Sequence, residues 1–200
     1  MLDYSYENAA HLKGYKIVCG VDEAGRGPLA GPVFAAAVVL PENYSHPVLN
    51  DSKKLSEKKR DEVFDDIVRD AVCYGVGTAS EKEIDEINIL NATFLAMKRA
   101  VEALSVTPGL AIIDGNKCPG TGIKEVALVK GDAKCMSVAA ASVIAKVSRD
   151  RYMLELDKKY PEYMFSKHKG YGTKLHYEKL KEFGISDVHR KSFLKNLSEK

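Results

Sequence analysis

The chain reads as an α/β protein. Short apolar runs that stop at acids or glycines alternate with helical stripes. The chain has 200 residues, 45% of them hydrophobic and 29% charged. That is enough to bury one α/β-sized core with a small appendage.

Taken in order, residues 1–14 form a lead-in or short helix. Apolar runs at 16–23 and 32–40 read as the first two strands, and 41–50 is a loop broken by Pro41, Asn43 and Pro47. A helix is expected over 57–72, with Val63, Ile67 and Ala71 on one row and Phe64, Val68 and Val72 on the next. Tyr74 to Ala79 reads as a third strand. Ser80 and Glu83 have the spacing of a capping box that opens a short helix. A further helix over 91–104 would bury Phe94, Leu95, Met97, Ala100, Val101 and Leu104. Leu110 to Ile113 is wholly apolar, the pattern of an interior strand. Residues 126–129 form another strand. A long helix follows over 134–159, opening on small residues (137–142) that let it lie close to a sheet, and Pro161 ends it. Residues 166–173 read as a basic, glycine-containing loop. Thr173 caps a helix that stops before Gly184, and a last helix is expected over 188–196.

Composition narrows the function. No apolar run approaches the roughly 20 residues of a membrane helix, and Met1 to Glu7 shows no secretory pattern. Membrane partners are therefore not expected, and the cytoplasm is the expected compartment. Cys19, Cys73, Cys118 and Cys135 lie far apart, which suits reduced thiols better than a disulfide or zinc frame. The net charge is +2, but residues 146–200 hold 14 Lys/Arg against 8 Asp/Glu. A basic last quarter beside an acidic centre suits a polyanion-binding enzyme.

The acids carry the chemistry. Three apolar strands are expected to end in acids: Asp22 and Glu23 on the first, Asp114 on the 110–113 run, and Asp132 on the 126–129 run. Open α/β sheets place sites at strand ends. Four converging carboxylates repel one another unless cations lie between them. With oxygen ligands and no His or Cys at these ends, a hard divalent cation such as Mg²⁺ is expected rather than zinc. Two ions about 3.5–4 Å apart would suit hydrolysis of a phosphodiester. Behind Asp22-Glu23 stands Gly25-Arg26-Gly27, a loop whose backbone can approach a ligand closely. The five histidines show no pattern of their own and are expected at the surface, where one near the mouth of the site could shuttle a proton.

These stretches also resemble a known family. Gly20-Val-Asp-Glu-Ala-Gly-Arg-Gly-Pro-Leu-Ala-Gly-Pro32, Asn50-Asp-Ser-Lys-Lys-Leu55, Ile113-Asp-Gly-Asn116, Lys130-Gly-Asp-Ala-Lys134, the run from Ala140 to Asp150 and His168-Lys-Gly-Tyr-Gly-Thr173 are similar, in order, to ribonuclease HII, the bacterial type 2 ribonuclease H. The resemblance runs from about residue 16 to 195. It implies a ribonuclease H-like mixed central sheet flanked by helices over 16–160, with a C-terminal helical extension over 161–200 in the same unit. It implies Mg²⁺- or Mn²⁺-dependent cleavage of RNA in RNA/DNA hybrids. It also implies incision 5′ of single ribonucleotides in duplex DNA, leaving 3′-hydroxyl and 5′-phosphate ends. The catalytic and metal-binding acids fall on Asp22, Glu23, Asp114 and Asp132. The substrate-reading residues fall on Gly25, Arg26, Gly27 and Tyr171. Lys53, Lys54, Lys146 and Ser137 match positions at or near the nucleic acid, and Asp150 reads as a structural partner. A monomer is expected, and the C-terminus carries no evident sliding-clamp motif. Two other classes remain open on the residues alone. One is a sugar-kinase-like ATPase, against which no second phosphate loop stands. The other is a non-catalytic hybrid-binding module, for which four acids would be a liability.

Overall fold

The structure is a computed structural model that describes residues 2–49 and 55–195. Its centre is a five-stranded mixed sheet in the order β3-β2-β1-β4-β5. The strands are β1 (Val18–Ala24), β2 (Val33–Val39), β3 (Cys73–Ala79), β4 (Leu110–Asp114) and β5 (Lys124–Leu128). β1 pairs antiparallel with β2 and parallel with β4. β2–β3 is antiparallel and β4–β5 parallel.

Burial explains the order. Every residue of β2 is buried, as are Leu110 to Ile113 of β4. β5 is an edge strand, half-exposed, and Val126 within it and Val129 just past its end lie open to solvent. It starts two residues earlier than its apolar run suggests, because β4 supplies its partners from Lys124 onward.

Each face of the sheet carries one long helix. Ala36 and Val38 turn toward α4 (Met136–Lys159), and Ala35, Ala37 and Val39 toward α3 (Glu81–Glu102). Alternation along a strand sends successive side chains to opposite faces. Small residues set the spacing. A Cβ on Gly20 would lie 2.2 Å from the Ser137 carbonyl carbon, so α4 rests directly on β1. α4 has no side-chain cap of its own. Glu7, buried on α1 (Ser5–Leu12), fills that role, its Oε1 accepting from Ser137 N–H (2.7 Å) and Cys135 S–H (3.2 Å). A carboxylate there also faces the positive end of the helix dipole.

The short helix and the 91–104 helix are one element interrupted at Asn88, whose φ is 66°. Its Oδ1 accepts from the N–H groups of Leu90 and Asn91, restarting the helix. The Ser80–Glu83 capping box is present. α2 (Glu57–Asp70) buries only Val63 and Ile67. The chain leaves it at Ala71, and Val72 N–H bonds Val39 O, so Val72 is exposed rather than part of a helical stripe.

The C-terminal part differs most from expectation. The expected basic loop opens with the one-turn helix α5 (Phe165–His168), and α6 (Lys174–Phe183) is capped by Thr173. Of the helix expected over 188–196, the described residues form only a 3₁₀ turn at Lys191–Phe193. Asp85 of α3 accepts from the N–H groups of Lys191 and Ser192 and holds that turn. His168, His176 and His189 are buried, not at the surface. His168 and His176 stack at 4.3 Å, and His176 Nε2 lies 3.1 Å from His189 Nε2. Phe165, Leu180 and Leu194 pack with Leu29, Ala30, Met153 and Leu156 into one cluster. The C-terminal segment therefore closes over the end of α4 and the loop after β1. Among the described residues all four cysteines are free, and no helix is long and apolar enough to cross a membrane.

Candidate active site

β1 and β4 run parallel, with Val21 beside Ile113. The next step brings Asp22 beside Asp114 at the same strand ends. Val21 and Ile113 face α3, so Asp22 and Asp114 face α4, where Ser142 hydrogen-bonds Asp22. Asp22 is buried, and its Oδ1 accepts from Glu23 N–H at 2.7 Å. Burial, then the charges of Glu23 and Asp114, hold its carboxyl well above the usual carboxylate range. Glu23 meets Arg26 Nη1 at 3.3 Å.

Asp132 does not end a strand. It sits in a 3₁₀ turn at Gly131–Ala133, four residues beyond β5, after Lys130 in the left-handed conformation (φ 57°). Gly131 N–H donates to Asp114 Oδ1 at 2.7 Å, which ties this turn to the end of β4. Asp132 is buried.

Like charges brought this close favour a cation. The donor set is all carboxylate oxygen, the chemistry of Mg²⁺ or Mn²⁺ rather than zinc. Among the described residues no group of three or more His, Cys, Asp or Glu side chains is placed to hold a metal ion. A hard cation that takes one or two carboxylates and keeps water and phosphate oxygens for its remaining positions needs no such group. The residues fit such an ion.

The loop from Gly25 to Pro32 borders the acids. Gly25 (φ 94°) has no room for a side chain, since a Cβ would lie 2.1 Å from Arg149 Nε. Arg26 and Gly27 are exposed, and a Cβ on Gly27 would lie 4.0 Å from Tyr171 Cε1. Tyr171 is 41% exposed, with Lys146 Nζ and Arg149 Cζ each 5.8 Å from its ring centroid. Glu23, Gly25, Arg60, Ser142, Lys146 and Tyr171 line one cleft of about 150 Å³. Lys146 also pairs with Asp150 at 2.7 Å, which gives Asp150 the structural role expected of it.

Two expectations fall elsewhere. Ser137 is fully buried at the start of α4, with its hydroxyl 3.4 Å from Cys135 Sγ, so it cannot touch a substrate. Small residues there serve helix–strand packing, and Ser142, one and a half turns on, reaches the acids instead. Lys53 and Lys54 lie outside the described residues.

Sequence reasoning missed Arg149 and Arg190, both fully buried. Among the described residues neither has an ion pair. Arg149 donates to the carbonyls of Ala30, Pro32 and Lys169. Arg190 donates to those of Gly25, Arg26 and Gly31. Both lie in a lysine-rich stretch and read as solvated charges. Nothing in their spacing marks them as buried.

The ribonuclease HII family model matches residues 19–196. The chain is 55% identical over 185 residues to a ribonuclease HII of Caldicellulosiruptor bescii, covering 92% of this chain and 90% of that one. It is 56% identical to one of Acetivibrio thermocellus, covering 96% and 75%. Among solved structures, ribonuclease H2 of Pyrococcus horikoshii superposes with a TM-score of 0.77 at 29% identity, covering 92% of this chain and 97% of that one. The ribonuclease HII of Archaeoglobus fulgidus, solved in complex with PCNA, gives 0.69 at 28%, covering 87% and 93%. The ribonuclease H-like sheet, its strand-end acids and these matches together establish that the chain belongs to the ribonuclease HII family of metal-dependent endonucleases.

Proposed function

We propose that this endonuclease hydrolyses the RNA strand of RNA/DNA hybrids and also incises 5′ of single ribonucleotides embedded in duplex DNA, leaving 3′-hydroxyl and 5′-phosphate ends. The observation that carries this reading is the level placement of Asp22 and Asp114, with the Asp132 turn fastened to Asp114 through Gly131. Asp22, Glu23, Asp114 and Asp132 are the proposed catalytic acids. They would hold two Mg²⁺ or Mn²⁺ ions, which when bound activate water and stabilise the leaving oxygen.

The chain's own groups do the positioning. Ser142 and the Glu23 amide orient the Asp22 carboxylate. Gly25, Arg26 and Gly27 lie against the ribose, where backbone groups can both donate to and accept from a 2′-hydroxyl. Tyr171 packs on the neighbouring sugar. Lys146, beside Tyr171, meets phosphate, and Arg60 on the same cleft supports it. The unit at 16–160 carries the acids, and 161–200 supplies Tyr171 and the basic wall. The enzyme acts as a cytoplasmic monomer.

A DNA duplex with one embedded ribonucleotide tests this reading. The expected result is a single cut 5′ of the ribonucleotide in Mg²⁺ or Mn²⁺, with 3′-hydroxyl and 5′-phosphate ends, and no cut in EDTA. Equal cutting of the all-DNA duplex, or cutting in EDTA, would overturn it.

A further inference from the structure

Arg190 lies in the C-terminal segment, yet among the described residues its side-chain hydrogen bonds all go to the loop after β1. Nη2 donates to Gly25 O (2.6 Å) and Gly31 O (2.7 Å), Nη1 to Arg26 O (2.9 Å) and Nε to Gly31 O (2.9 Å). The backbones are also joined. Gly31 N–H donates to Val188 O, and Arg190 N–H to Leu29 O. The far limb of the loop, Leu29 to Gly31, would therefore stay docked without the guanidinium. The near limb, Gly25 and Arg26, has no such ladder to residues 188–190 among the described residues.

Peptide geometry gives this a consequence. In a planar trans peptide the C=O of one residue and the N–H of the next point in opposite directions. Gly25 C=O and Arg26 C=O both point at Arg190, so the N–H groups of Arg26 and Gly27 point away from it. Away from Arg190 lies exposed surface, for Arg26 and Gly27 are the exposed residues of the loop, and Gly27 adjoins Tyr171. A rigid planar fork can hold two successive carbonyls at fixed angles; a lysine ammonium on a flexible stem cannot.

We propose that Arg190 is a positioning residue for ribose recognition: by holding the Gly25 and Arg26 carbonyls it aims the Arg26 and Gly27 amides at the 2′-hydroxyl. This rests on the reading that the glycine loop faces the ribose. Arg190 never touches the substrate. It sets which way two peptide planes face, and so whether the loop distinguishes a ribonucleotide from a deoxyribonucleotide.

The test separates discrimination from general integrity. In a cleavage-silent Asp114→Asn background, fluorescence anisotropy in Mg²⁺ gives the affinity for a DNA duplex with one ribonucleotide and for the same duplex in all-DNA form. The expected result is a preference of about tenfold or more for the ribonucleotide duplex, the worth of one or two well-placed hydrogen bonds. Adding Arg190→Lys should shrink that preference to within about twofold while the all-DNA affinity holds, because phosphate contacts carry it. Equal losses for both duplexes would make Arg190 merely structural and overturn the proposal, and so would a retained preference. If Asp114→Asn alone shows no preference although the native enzyme cuts at the ribonucleotide, the loop reading fails instead. Should Arg190→Lys not fold, Arg190→Ala with added ethylguanidinium replaces it. Return of the preference alone supports the assignment; return of both affinities together overturns it.

Discussion

Two charged regions flank the loop after β1, and they are built on opposite plans. On one side Asp22 lies within reach of the charges of Glu23 and Asp114, and burial with this repulsion holds Asp22 well above its ordinary range. On the other side Arg149 and Arg190 are equally buried, yet their donors are met by backbone carbonyls. Burial pushes Arg190 down to about 9, which leaves it charged at neutral pH. A charge satisfied by fixed dipoles locks geometry. A charge set against its own kind awaits something from outside, here a divalent ion. The first arrangement holds shape and the second holds reactivity, and the loop between them belongs to both.

The largest expected effect falls on the reactive side. Asp114→Asn keeps an acceptor for Gly131 N–H but removes a charge. Cleavage in single turnover should fall by about three orders of magnitude, with duplex binding within a few-fold of native. Unchanged turnover would remove Asp114 from the site and dissolve the contrast.

Metal linkage is the next effect in size. Because the acids repel when empty, saturating Mg²⁺ or Mn²⁺ should stabilise the fold by about 2–3 kcal/mol at a hundredfold excess over Kd. EDTA should abolish the gain in a thermal melt, and Asp22→Asn should reduce it. A metal-independent melting temperature would mean that the acids are not poised for a cation.

The smallest effect is in the supporting cluster beneath Tyr171. Burial pushes His176 and His189 down to about 4, from an ordinary value near 6.5. The folded state therefore holds these rings neutral while the unfolded chain takes up protons. Stability from this source is complete above about pH 6.5 and is lost as pH falls toward about 4. Urea midpoints measured across that window should decline by an amount worth about 1–3 kcal/mol. His176→Gln should flatten the decline, and an unchanged slope would show that the cluster does not titrate with folding. His176 Nδ1–H donates to Tyr171 O, a bond that protonation keeps, so what acidification breaks is the contact of His176 Nε2 with His189 Nε2.

Much of the framework was legible because its signals are local. Apolar runs gave all five strands within two residues or so, Ser80 and Glu83 announced a cap, and Pro161 a stop. The strand-end places of Asp22 and Asp114 were legible for the same reason, since strand-end carboxylates and glycine loops are written in adjacent letters, whereas Asp132 lies in a turn past β5. What escaped depends on distant partners. No local signal distinguishes Arg190, which donates across the fold to Gly25, from the exposed Lys191 beside it. The histidines carry no spacing pattern of their own, so nothing in the sequence takes them from the surface; only the fold packs His168, His176 and His189 against Phe165 and one another. The 188–196 stretch had a helical pattern but lost it to Asp85, a competitor more than a hundred residues away. Ser137 was misplaced because a run of small residues does not reveal which member meets the acids.

The glycine at position 20 carries a last consequence. With α4 lying on β1 closer than any side chain allows, Ser142, Lys146 and Arg149 are borne on a beam whose height is set at a single bare carbon. A methyl group there would lift the beam, tilting a hydrogen-bond donor, a cation and a loop anchor together. Alanine at 20 would thus misalign the site as a whole, which makes this buried, chemically silent position as restrictive as any acid.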